Sequence, residues 1–184
     1  QLKNDTIDKL SHLIAEFHRT ISSSTEGHFG SPEIIEKSVF ENFNYFANTE
    51  YCEIAGDIKN WSIEKFKELK GEMFLRKKNG FIRECHGDLH LGNIALINER
   101  PVLFDCIEFN ENLRWIDVIS EIAFLMMDME ERDLTNGAYR MLNHYLELTG
   151  DYAGLKLLTF YLSYRAMVRA KVAVLQKKDP SIYL

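Results

Sequence analysis

Residues 86 to 105 hold the side chains best suited to chemistry: His86, Gly87, Asp88, Leu89, His90, Leu91, Gly92 and Asn93, followed by Asp105 after the apolar run Val102 to Phe104. A carboxylate such as Asp88 orients an acceptor hydroxyl and takes its proton. An asparagine and a second aspartate, here Asn93 and Asp105, supply the oxygen ligands that the hard cation Mg²⁺ prefers. Those are the few protein groups that phosphoryl transfer from ATP requires. A short hairpin between Asn93 and Asp105 would fold the second ligand back over the first. The alternation His86, Asp88, His90 also suits a metallohydrolase cluster. Against that reading, His12, His18, His28 and His144 lie on or near helices with no complementary motif.

The spacing from Asp88 to Asn93 equals that of the kinase catalytic loop, in which the aspartate is the base, the asparagine holds one Mg²⁺, and an aspartate at the end of a later strand holds another. The loop His86, Gly87, Asp88, Leu89, His90, Leu91, Gly92, Asn93 resembles that of the aminoglycoside phosphotransferase and choline kinase branch of the kinase superfamily, with Gly87 where protein kinases carry arginine. The resemblance implies Asp88 as catalytic base, Asn93 and Asp105 as Mg²⁺ ligands, and His86 and His90 as loop support. It extends to Glu16, Phe17, His18 in the first helix, to Phe104 through Phe109 with Glu108, and to the stretches around Arg114, Asp117 and Glu121 and from Tyr164 to Lys171. These flanking stretches look most like uncharacterised bacterial proteins in which such a domain is fused to a P-loop ATPase.

What the resemblance implies is a C-terminal lobe only. The family's N-terminal lobe brings a five-stranded sheet, a loop over the phosphates and a Lys–Glu pair. No strand-rich block precedes Asp88, Gly27 and Gly30 are too sparse for a nucleotide loop, and no GxxxxGK[ST] occurs. The expected partners are therefore ATP, a small hydroxyl substrate, the missing lobe and a P-loop ATPase domain in a parent chain. The isolated chain is expected to bind ATP poorly and not to turn over. A catalytically silent binding or regulatory module with the same loop is the alternative.

These residues need a scaffold, and hydrophobic periodicity outlines one. Ile7, Leu10, Leu13, Ile14, Phe17 and Ile21 predict a helix over 5–21 with Asp5 as cap. Ser31, Pro32 and Glu33 open a second helix, with Ile35, Val39, Phe43 and Phe46 on one face. Trp61 to Lys78 reads as a third, started at Ser62 and stopped by Asn79 and Gly80 in left-handed conformations. Phe81 to Cys85, Ile94 to Ile97 and Pro101 to Phe104 read as short strands, the last two forming a hairpin. Helices are expected over 113–129, 134–148 and 153–177, separated by Asp133 and Gly150. The fold class is mainly α with a small central β-hairpin insert, in one domain spanning 1–184.

Composition bounds the partners. The 184 residues carry 22 Lys and Arg against 28 Asp and Glu, a net charge of −6. That excludes nucleic acid and anionic membrane as main partners, which call for clustered cations. Lys156, Arg165, Arg169 and Lys171 interrupt the most apolar stretch, and Asp117 with Glu121 the next, so neither reads as a membrane span. Cys52, Cys85 and Cys106 form no CxxC pair, which points to a reducing, cytoplasmic setting; Cys106 is expected as a small buried filler. The first residue is Gln, as expected of a fragment or processed chain. Asp117, Glu121, Arg165 and Arg169 sit on otherwise apolar helices. They would form an internal salt-bridge network, or Arg165 and Arg169, four apart, would hold an anionic substrate. Met126, Met127 and Met129 read as core.

Overall fold

The computed structural model describes residues 3–184. Its first helix, α1 (Asn4–Thr20), buries Ile7, Leu10 and Ile14 along one stripe and carries His18 on the same buried face. In α2 (Pro32–Phe40) the Ser31 side chain accepts the Ile34 N–H at 3.4 Å and Pro32 takes the first turn, where no amide donor is needed. Beyond Phe40 the chain tightens into a 3₁₀ segment, Glu41–Phe46, so Phe43 and Phe46 are buried but not on a continued α-helix.

The next helix, α3, runs Cys52–Lys78 and thus begins well before Trp61. Ser62 is a buried interior position rather than its cap. Gly56 inside it weakens the local helical signal, with nothing near its Cα to reward a side chain. Burial of Ala55 against the core holds this first part instead. At the other end only Gly80 is left-handed (φ 78°), whereas Asn79 has φ −86°.

Among the described residues four short strands make two antiparallel pairs. Strand β1 (Ile82–Glu84) pairs with β4 (Trp115–Asp117), Ile82 opposite Asp117, while β2 (Ile94–Ile97) and β3 (Arg100–Leu103) form the expected hairpin. Its two-residue turn, Asn98 and Glu99, has φ of 50° and 59°, the positive values that match the twist of a tight hairpin. Ser22 to Ser24, sequence-typical of a turn, lies extended beside β1: the Ser24 N–H donates to the Ile82 carbonyl and the Glu84 N–H to that of Ser22. The expected helix over 113–129 is really a single turn, α4 (Glu111–Arg114), then β4, then α5 (Val118–Glu131). Pairing with β1 overrides the helical pattern there, and Asp117 restarts the helix by accepting the Ile119 N–H at 2.9 Å.

Two further helices complete the chain, α6 (Thr135–Thr149) and α7 (Leu155–Leu175), with Asp133 and Gly150 in left-handed conformations at the breaks. Helix α5 is buried on nearly every side and packs against α6 and α7, while α1 lies along α6. One apolar cluster joins these helices, with Met126 and Met129 fully inside it. The architecture is mainly helical with a small β component. No helix among the described residues is long and apolar enough to cross a membrane.

Candidate functional site

The loop from His86 to Asn93 links β1 to β2 and is fixed at nearly every residue. Leu89 is fully buried and pins it to the core. Gly87 has φ 85°, and a Cβ there would meet the Leu113 carbonyl oxygen at 2.7 Å, so both conformation and space demand glycine. The Gly87 N–H donates to Glu121 Oε1 at 2.7 Å, and the Leu91 N–H donates to Asp128 Oδ2 at 2.9 Å. Two buried carboxylates of α5 thus hold the loop by its amides.

His86 ties this loop to the strand that leads to Asp105. Its Nε2 donates to the Phe104 carbonyl at 2.7 Å, which leaves Nδ1 as acceptor for the Asp88 N–H at 3.4 Å. The Ile107 N–H donates to the His86 carbonyl, and the Phe104 N–H to that of Asn93, at 3.0 and 3.1 Å. The peptide preceding Asp105 is therefore stitched to both ends of the loop. Asp105 itself is exposed with φ 61°, a conformation costly for a non-glycine residue and concentrated at functional sites.

Around Asp88 the groups converge. The Asn93 Nδ2 donates to the Asp88 carbonyl at 2.9 Å and to its Oδ2 at 3.2 Å. Among the described residues no donor reaches the Asn93 amide oxygen, the atom a cation would use. His90 Nε2 lies 3.5 Å from Asp88 Oδ2, while its Nδ1 accepts the Gly92 N–H at 3.0 Å. The His90 contact is the main influence holding the Asp88 carboxyl below its ordinary pKa; partial burial opposes it, and the Arg165 charge and Asn93 add to the lowering. Asp88 is anionic at neutral pH.

Asp117 and Glu121 enter buried ion pairs, as an internal network requires, but with residues other than Arg165 and Arg169. Asp117 is gripped by Arg76 of α3 (Nε to Oδ2 2.7 Å, Nη2 to Oδ1 2.8 Å), which also holds Asp151 through Nη1 at 2.7 Å. Glu121 Oε2 lies 2.8 Å from His18 Nε2, and His18 Nδ1 meets the Tyr145 hydroxyl at 2.9 Å. Burial works to raise the Glu121 pKa, but the bonds from His18 and Gly87 prevail and it is lowered. Arg165 gives Nε and Nη2 donors to Ser120 and, at 3.4 Å, one Nη1 donor to the Gly87 carbonyl, which leaves two of its five N–H groups without a partner among the described residues. Arg169 lies over the Tyr183 ring at 5.8 Å, and Arg114 pairs with Glu84 at 2.8 Å. Glu108 is exposed with no ion pair among the described residues, and Cys106 is exposed rather than buried.

Arg76, Asp128 and Asp151 carry no local mark in the sequence, and His18, which the resemblance takes in, carries none of its role; each acts on a partner distant in sequence. Three groups of side chains offer metal ligands. Asn93 and Asp105, with a free amide oxygen and an exposed carboxylate, fit a hard cation. His86 has both ring nitrogens engaged, which leaves the His86, Asp88, His90 alternation short of a hydrolytic cluster. His18, Cys85 and Glu121 bring ligand atoms within 4.8 Å of one another, all buried. There His18 is already bonded on both nitrogens, and burial pushes the Cys85 thiol well up, away from the thiolate that binds metal.

A cavity of about 300 Å³ opens beside Asp88 and Gly87, between the end of α2 and α7. Arg165 and Lys171 line one part of it, Lys37 and Glu41 another.

No family model matches the chain. It is 33% identical over 177 residues to proteins described as uncharacterized from Mycobacterium bovis and from two strains of Mycobacterium tuberculosis, a match covering 90% of this chain. The match takes in 34% of each of those proteins, so the chain spans about a third of the length of the curated relatives it matches.

Proposed function

We propose that this chain is the catalytic lobe of a kinase-like phosphotransferase that moves the γ-phosphoryl group of ATP to a hydroxyl of a small molecule. The observation that carries this reading is the stitching of the Asp105 peptide to His86 and Asn93, which gathers Asp88, Asn93 and Asp105 at one loop–hairpin junction. Asp88, anionic and aimed by Asn93 and His90, orients the acceptor hydroxyl and takes its proton as the new P–O bond forms. The Asn93 amide oxygen and the Asp105 carboxylate would hold Mg²⁺, which when bound neutralises the charge on the transferring phosphates. His86 keeps the base and metal segments in register, and Glu121 with Asp128 keeps the loop from sliding along α5. The nucleotide cradle belongs to the parent protein, as does any P-loop ATPase domain.

The metal assignment is tested with Mn²⁺ as a paramagnetic probe of the site. Asn93→Ala and Asp105→Ala should each weaken Mn²⁺ binding about tenfold or more, the usual scale for loss of a ligand or its support. Unchanged binding in both, or stoichiometric zinc retained through purification, would sink the assignment.

A further inference from the structure

The cavity beside Asp88 is unusual in its charge. Arg165 is 3% exposed, and a guanidinium stays charged in proteins, yet among the described residues no carboxylate forms an ion pair with it. Its nearest compensation is neutral: the Ser120 hydroxyl and carbonyl, the Gly87 carbonyl, and the rings of Phe124 and Tyr164 at 4.9 and 5.0 Å. Buried charges are normally paired, because desolvation otherwise costs several kcal/mol.

Lys171, six residues further along α7, repeats the pattern. It is half-buried, lies over the Tyr45 ring at 5.6 Å, and makes no ion pair among the described residues. Burial lowers its pKa, with Glu41 only partly opposing, as expected of an ammonium short of counter-charge. The one acidic wall residue apart from Asp88 is Glu41, which lies 3.7 Å from Lys37 and is largely neutralised by it. Asp88 offsets part of the Arg165 charge, which in turn lowers the Asp88 pKa, so the walls carry Lys37, Arg165 and Lys171 against Glu41 and Asp88 and one cation is left beyond what they compensate. Asn112, another lining residue, has a side-chain oxygen that is buried without a hydrogen-bond partner.

From this we infer that the cavity between α2 and α7 binds a small polyhydroxylated anion, its acidic group on Arg165 and Lys171 and one hydroxyl turned toward Asp88. The class is a carboxylate- or phosphate-bearing polyol, and about 300 Å³ accommodates a molecule of sugar size. Polycationic acceptors are disfavoured, since they would place like charge against Arg165 and Lys171. The anion assignment needs only the cavity, whereas the placement of the hydroxyl rests on the phosphotransfer reading.

Calorimetric titration of the chain with gluconate, glucose 6-phosphate, glucose and glucosamine tests it. The two anions should bind at least tenfold more tightly than glucose or glucosamine, and more weakly as salt is added. Gluconate against glucose 6-phosphate reports whether the site takes a carboxylate or a phosphate. Lys171→Gln should raise the dissociation constant of the preferred anion about tenfold. Because Arg165→Met risks unfolding the loop, the exposed Lys37→Gln serves as second variant and should cost a few-fold. Equal binding of neutral and anionic probes, no saturable anion binding, or an unaltered constant in Lys171→Gln would overturn the inference. Anion binding by the chain, with no phosphoryl transfer to any hydroxyl by the parent protein, would leave it standing and remove the phosphotransfer reading; transfer by the parent protein to a cationic acceptor alone would do the reverse.

Discussion

Glu121 illustrates how a single buried side chain sets the loop. Its carboxylate accepts from Gly87 on one oxygen and meets His18 on the other, and its pKa is held below the ordinary 4.5. A depressed carboxylate binds its proton more readily in the unfolded chain. Its contribution is therefore fully present above about pH 4.5 and is lost as pH falls through the folded value. Asp88 acts in the same direction. Urea midpoints should fall as pH drops below about 4.5, and Glu121→Gln should lower stability at neutral pH by about 1–3 kcal/mol while flattening that acid dependence. A midpoint that is unaltered at pH 7 and keeps the wild-type acid slope would contradict the role. At this scale Asp88, Asn93 and Asp105 could be picked out of the sequence because their spacing is local. His18 could not, because its partner lies 103 residues away and a histidine on a helix carries no mark of what it will face.

Elements are joined by Arg76, which projects from α3 and clamps the two residues that begin later helices: Asp117, the cap of α5, and Asp151, whose side chain accepts the Gly154 N–H ahead of α7. All three side chains are buried. Replacing Arg76 with methionine would strand two carboxylates away from water, at a cost of about 3–5 kcal/mol. Chemical denaturation reads this directly, and a loss below about 1 kcal/mol would mean that the clamp is dispensable. Helices α1, α2, α6 and α7 and the β2–β3 hairpin were legible in the amphipathic pattern and turn residues. Strand β4 was not, since Trp115 to Asp117 sits between two helical runs and becomes extended only through its long-range pairing with β1. The first turns of α3 were likewise hidden, because tertiary packing of Ala55 outweighs the poor propensity of Gly56.

For the molecule as a whole, Leu96, Ile97, Val102, Phe104 and Phe109 expose apolar surface along the hairpin and the segment after Asp105, beside the proposed metal ligands. The mainly helical plan was readable from sequence because most segments bury a single stripe on the shared core. An anionic substrate on Arg165 was one of two readings open in the sequence, but the cavity that sets Arg165 beside Lys171 and Asp88 appears only when α7 is placed against the loop. The proposed role of Asp88 is to orient and deprotonate an acceptor hydroxyl. It is tested most directly by Mg²⁺·ATP-dependent phosphoryl transfer in the parent protein, comparing wild type with Asp88→Asn on a panel of hydroxylated acceptors. The account predicts that Asp88→Asn lowers the transfer rate by about 10²-fold or more, with nucleotide affinity unchanged. Transfer at the wild-type rate in Asp88→Asn would contradict it.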